Sequence, residues 1–116
     1  IIQIYNGQMQ TTTFDPQEIG IERAPLSELV GGVPEVNAAI IRDVFGGKSG
    51  SIREAILLNA AIAIAAFKGD FDLGITQQIA NGYVLAKQAI DSGKALELLN
   101  TWGALTQELS PVNQLK

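Results

Sequence analysis

The sequence predicts a mixed domain, α/β or α+β, built from a β-hairpin followed by about four helices, and three observations carry that reading. Short extended runs flank an Asn-Gly pair at the start of the chain. From Pro34 onward the apolar residues change to helical spacing. Between Ala55 and Phe67 a helical stretch is apolar on every face, which requires cover on all sides. With 116 residues and 47% hydrophobic side chains the chain suits one domain with a buried core.

Ile2, Ile4 and Met9 stand among polar residues, and Asn6-Gly7 separates one extended run, Ile1 to Tyr5, from another, Gln8 to Phe14. Both turn residues tolerate the positive φ of a type I′ turn, so a hairpin is expected. Asp15-Pro16 stops the second strand because Pro has no ladder donor. From there through Ala24-Pro25 to Gly31-Gly32 the chain reads as loop, with one short turn at Leu26 to Leu29. The opening Ile1-Ile2-Gln3-Ile4-Tyr5 lies inside a strand and has no initiator Met, so a fragment of a longer protein is expected.

Pro34 suits the first position of a helix; Val36, Ile40 and Val44 then recur every fourth residue, with Ile41 and Phe45 beside them, until Gly46-Gly47. Ser51-Ile52-Arg53-Glu54 matches a capping box and opens a second helix that runs to about Phe67. Asn59 is its only polar residue after Glu54. The 13 residues from Ala55 to Phe67 would rise about 20 Å, short of a hydrocarbon core near 30 Å, so a membrane span is rejected. A small-residue helix of this kind packs closely against a sheet, and these residues hold no further strand to form one. The sheet is expected from chain outside them. A third helix, about Thr76 to Asp91, carries Ile79, Tyr83, Ala86 and Ile90 on one stripe and ends at Ser92-Gly93. A fourth, about Lys94 to Leu109, is expected to bury Leu98, Trp102, Leu105 and Leu109 before Pro111 stops it. Trp102 and Phe67 are assigned to the core.

Composition excludes much chemistry. A net charge of -4, with no run of Lys or Arg, argues against nucleic acid as a partner. There is no Cys and no His, which removes disulfides, thiolate metal sites and the usual imidazole base. No signal peptide is visible, and a cytoplasmic location is expected. Gly46-Gly47-Lys48-Ser49 lacks the first Gly of a P-loop, since Arg42 stands there, and follows a helix. Asp70-Phe71-Asp72 lacks a third calcium ligand, because Gly74 occupies its place, and reads as a solvated loop. Gly31-Gly32 does not continue as a dinucleotide fingerprint. Glu18 with Glu22, and Glu35 with Asp43, have no apolar pocket or partner charge that would shift a pKa, and read as surface carboxylates. Asn37 and Asn59 fall on apolar helical stretches, where bonding to neighbouring backbone is the expected role.

Three blocks in one order are specific: Gly31-Gly32-Val33-Pro34-Glu35-Val36-Asn37-Ala38-Ala39-Ile40-Ile41-Arg42, Arg53-Glu54-Ala55-Ile56-Leu57-Leu58-Asn59-Ala60-Ala61, and Ala89-Ile90-Asp91-Ser92-Gly93-Lys94-Ala95. Together they resemble the C-terminal region of the anthranilate phosphoribosyltransferase family, from the hairpin to about Leu99. Val33 stands where that family commonly has an acidic residue, and 101–116 match no pattern. The resemblance implies that residues 1–116 are the C-terminal segment of a larger α/β catalytic domain of nucleoside-phosphorylase-like fold. It implies an enzyme that transfers the 5-phosphoribosyl group of phosphoribosyl pyrophosphate to anthranilate in tryptophan biosynthesis. Magnesium, bound by residues outside this chain, would serve the departing pyrophosphate. Its further implied partners are the remainder of the same enzyme and a second copy in a homodimer, with no membrane and no nucleic acid.

The family's working motifs are a Gly-Thr-Gly-Gly-Asp loop, Asn-x-Ser, Lys-His-Gly-Asn, an Arg facing anthranilate and an Asp-Glu metal pair. None of those motifs occurs in residues 1–116, so no catalytic, substrate-binding or metal residue is carried over. A homologue that binds nucleic acid without catalysis, and a free-standing interaction module, are the alternative readings.

Overall fold

The computed structural model describes residues 1–110, in which two strands and two 3-10 turns precede four α-helices. Strands β1 (Ile2–Tyr5) and β2 (Gln8–Thr11) pair antiparallel, with Ile4 opposite Met9 and Tyr5 opposite Gln8. Asn6 and Gly7 hold φ of 49° and 74°, the left-handed pair a type I′ link needs. The ladder stops short of the expected Phe14. Ile1 and Thr12 exchange its last bonds, at 2.8 and 2.9 Å. Where loop was expected, Pro16–Ile19 forms a 3-10 turn with a reciprocal cap: Asp15 Oδ1 accepts from the Gln17 amide and Glu18 Oε1 from the Asp15 amide, both at 3.1 Å. The second turn, Leu26–Leu29, is the one expected.

Helices α1 (Pro34–Phe45), α2 (Ser51–Lys68), α3 (Ile75–Asp91) and α4 (Lys94–Glu108) follow the sequence reading closely. The expected stop at Pro111 falls outside the described residues. Among the described residues no helix is long and apolar enough to cross a membrane.

The core sits between α2 and α3. Every fourth residue of α2, namely Arg53, Leu57, Ala61 and Ala65, is buried, and α3 answers with Gln78, Ile79, Gly82, Ala86 and Ile90. Leu57 and Ile79 are 1% and 0% exposed, and Val44 of α1 packs in one cluster with Leu57, Ala86 and Ile90. Small residues set the crossing distance. A Cβ on Gly82 would lie 2.3 Å from the carbonyl oxygen of Ala61, so the two backbones touch there.

Three expectations need correction. The capping box at Ser51 is absent: Gly50, at φ 131°, is the cap, which places Ser51 inside the first turn. Its hydroxyl donates to Glu28 at 2.5 Å instead, and Glu54 accepts from Tyr83. Phe67 is 91% exposed and Trp102 64%, so neither is core here. The stripe of α4 is also open, with Leu98, Leu105 and Leu109 exposed, because α4 meets its neighbours along Ala95 and Leu99. On α2 one face only is covered, leaving Ile62, Ala63 and Ala66 exposed, in line with the expectation that chain outside these residues supplies the rest of its cover. The radius of gyration, 17.4 Å, agrees with such open faces, since a compact domain of this length has about 13 Å.

Candidate functional site

A polar cluster lies along one edge of the α2–α3 contact. Tyr83, Lys87 and Asp91 stand four residues apart on α3 and therefore share a side, facing Arg53 and Glu54 at the start of α2. Arg53 Nη2 donates to one Asp91 oxygen at 2.5 Å, and Lys87 Nζ donates to the other. Lys87, and after it Arg53, hold the Asp91 carboxyl below its ordinary range. Tyr83 Oη donates to Glu54 Oε2 at 2.5 Å. Burial first, and then the bond to Glu54, push the Tyr83 phenol up to about 12. A phenol that keeps its proton and a carboxylate already neutralised by two cations are poor acid and base near neutrality. The cluster is a clasp between helices. Arg53 Nη1 is buried without a hydrogen-bond partner among the described residues.

The two asparagines do what the sequence reading expected. Asn37 Oδ1 accepts from the Gly32 amide and Asn37 Nδ2 donates to the Gly32 carbonyl, both at 2.8 Å. This staple holds the Gly-Gly loop against α1 so closely that a Cβ on Gly31 would lie 2.4 Å from Asn37 Oδ1. Asn59 Nδ2 donates to the Ala55 carbonyl at 2.7 Å, one turn back along its own helix.

The carboxylates singled out in the sequence do not converge. Glu18 completes the cap at Asp15 and accepts from Thr76 Oγ1 at 3.0 Å. Asp43 pairs with Lys48 at 2.9 Å, while Glu22 and Glu35 face solvent. Asp70 and Asp72 are also exposed. Between them, however, Phe71 stacks on Tyr5 with ring centroids 3.9 Å apart and planes at 20°. A segment expected to be only a solvated loop thus anchors the hairpin to the helices. The sequence held a weak signal for it, an aromatic residue between two acids.

Several grooves cross the surface of the described residues. One of 690 Å³ between the hairpin and the start of α3 is lined by the amides of Gln3, Gln8, Gln10 and Gln78. It can hydrogen-bond but offers no nucleophile with an adjacent base. A second, of 270 Å³, lies at the Gly46-to-Ser51 link with Lys48 and Arg53 on its wall, and a third, of 500 Å³, runs along α4.

Comparison with known proteins supplies what this geometry does not. The family model for the a/b domain of a glycosyl transferase family matches residues 1–96. Anthranilate phosphoribosyltransferase of Rhodococcus jostii (strain RHA1) is 46% identical over 107 residues, which cover 92% of this chain and 30% of that relative. The enzyme of that name from Arthrobacter sp. (strain FB24) is 44% identical over 105 residues, 90% of this chain and 30% of its own length. That from Nocardia farcinica (strain IFM 10152) is 41% identical over 111 residues, 91% of this chain and 32% of its own. The chain therefore spans about 30% of the length of the curated relatives it matches. Hairpin, loop and helices, in this order and with this sequence, place the chain in the glycosyl transferase family as a portion of its α/β domain.

Proposed function

We propose that residues 1–116 are the C-terminal segment of the catalytic α/β domain of an anthranilate phosphoribosyltransferase. In this reading the complete enzyme transfers the 5-phosphoribosyl group of phosphoribosyl pyrophosphate to the amino group of anthranilate, releases pyrophosphate and serves tryptophan biosynthesis. It works in the cytoplasm as a homodimer. The carrying observation is identity of 46% across 92% of the chain, set within 30% of the relative's length.

The open faces support the same reading. Ile62, Ala63, Ala66 and Phe67 form the uncovered side of α2, a run of small and apolar residues suited to packing on a sheet. On the hairpin, Ile2, Ile4 and Met9 are 64%, 74% and 71% exposed. The remainder of the same polypeptide covers both.

This segment supplies structure and none of the catalytic, substrate-binding or metal residues. Among the described residues no three Asp, Glu, His or Cys side chains come together. None of them is assigned to magnesium, which in this reading is held outside the chain and neutralises the departing pyrophosphate.

The test is loss of anthranilate fluorescence in the presence of phosphoribosyl pyrophosphate and magnesium, for the complete protein and for the 116-residue chain. The complete protein should consume anthranilate and the chain alone should not. Turnover by the chain alone, or none by the complete protein, sinks the reading.

A further inference from the structure

The sequence holds two Asn-Gly pairs, Asn6-Gly7 and Asn81-Gly82. Asn followed by Gly is open to attack on its carboxamide by the next backbone nitrogen, because Gly has no side chain to shield that nitrogen. As dipeptides the two pairs are alike, and the fold separates them. Asn81-Gly82 lies inside α3, where the helical pattern commits the Gly82 amide to the carbonyl four residues back. Asn81 Oδ1 accepts from Gln77 Nε2 at 2.9 Å. Gly82 is buried against the Ala61 backbone, so freeing its nitrogen means taking α3 off α2.

Asn6-Gly7 is instead the exposed link of a two-stranded hairpin. Neither the Asn6 carboxamide nor the Gly7 amide makes a hydrogen bond among the described residues. Asn6 is also the one non-glycine residue with positive φ among them. A single barrier remains. In the left-handed conformation the Gly7 nitrogen stands nearly opposite Asn6 Cβ about the Cα–C bond, so ring closure requires the turn to open. Two strands of four residues open at little cost, and Tyr5, next to the turn, resists that opening through its stack on Phe71.

We propose that Asn6 is a site of spontaneous deamidation gated by opening of the hairpin, and that the fold protects Asn81. The Gly7 nitrogen gives up its proton and attacks Asn6 Cγ. The new N–C bond closes a succinimide ring as the Cγ–Nδ2 bond breaks, and Nδ2 takes up a proton and leaves as ammonia. Water then opens the ring. Addition at Cγ gives aspartate, and addition at the Asn6 backbone carbonyl carbon gives isoaspartate, whose chain runs through Cβ and Cγ. Both products add a negative charge. Isoaspartate also lengthens the link by a backbone carbon, so that Tyr5 and Gln8 lose their register and Tyr5 its place on Phe71. The modification belongs to the chain and not to the phosphoribosyl reaction, and no result of the anthranilate assay bears on it.

The test is peptide mass spectrometry, with aspartate and isoaspartate distinguished, on the complete enzyme held at neutral and at mildly alkaline pH. Asn6 should convert at least about tenfold faster than Asn81, because a hairpin tip opens far more often than a packed helix. Conversion should quicken at the higher pH, since the Gly7 nitrogen must lose its proton. Unfolding in urea should make the two rates alike. Phe71→Ala removes the ring that holds Tyr5 and should speed conversion at Asn6 severalfold while leaving Asn81 unchanged. Tyr5→Leu removes the same contact from the exposed hairpin and should act alike. Equal rates at the two pairs in the folded enzyme, an Asn6 that stays intact, or a difference that persists in urea overturns the proposal. So does an Asn6 rate indifferent to both variants.

Discussion

Helix pair α2–α3 and helix α4 carry similar apolar periodicity and end in opposite states. In the pair, Ala61, Ala65, Gly82 and Ala86 are small, the backbones meet, and both stripes are buried. On α4 the corresponding residues are Leu98, Trp102 and Leu105, and all are exposed. Periodicity marks a face; side-chain size marks how close its partner must come. Small residues let α2 and α3 approach to backbone contact, while the large ones on α4 stand without a facing surface among the described residues.

Substitutions can break this contrast. Leu57→Ala should have the largest effect, because it empties a site 1% exposed at the centre of the cluster, at a cost of about 3 kcal/mol in urea unfolding. Gly82→Ala should cost about 2 kcal/mol even though Ala is the better helix former by about 1 kcal/mol. The added methyl would meet the Ala61 carbonyl at 2.3 Å, and backbone cannot yield as a flexible side chain can. An unchanged or raised midpoint for Gly82→Ala would show that the two helices are not in contact there.

Tyr83→Phe should cost about 1 kcal/mol at neutral pH, the worth of a hydrogen bond that is only partly buried. It also carries a pH signature. The folded chain holds the Tyr83 proton to about 12 and the unfolded chain sheds it near 10.0, so this contribution is whole below pH 10 and is lost as pH rises through about 12. Alkaline titration of wild type against Tyr83→Phe should therefore show the two stabilities converging across that window. The Asp91 contribution runs the other way: its carboxyl is held low by Lys87 and Arg53, so it is present above the ordinary carboxylate range and fades as pH falls. Smallest of all, Leu98→Ala should change the stability of the monomer by no more than about 0.5 kcal/mol, since the side chain is 70% exposed. A large loss in monomer would place Leu98 in a core.

Much of the fold was legible in residue order. Asn6-Gly7 fixed the hairpin, Pro34 and Gly46 bounded α1, and Ile79, Ala86 and Ile90 announced the buried stripe of α3. Asn37 and Asn59 stood on apolar stretches, and backbone bonding explains both. What the sequence hid was pairing at long range. The Ser51 hydroxyl has two chemically sensible partners, and Gly50 decided the matter by turning the chain one residue earlier. Arg53 lies four residues before Leu57 on the buried stripe, a signal that it would be held by a carboxylate, but nothing local pointed to Asp91. Trp102 and Phe67 misled because an aromatic residue at helical spacing identifies a contact face without saying whether its partner belongs to the same residues. The catalytic motifs could not be read here because residues 1–116 do not contain them.

In the proposed reading this segment supports the enzyme without touching its chemistry. Thermal unfolding beside steady-state kinetics, on the complete enzyme carrying Leu57→Ala, tests it most directly. The expected result is a Tm lower by several degrees with kcat and both KM values near wild type at a temperature where the variant is folded. A wild-type Tm with kcat lost would contradict it and place α2 in the active site.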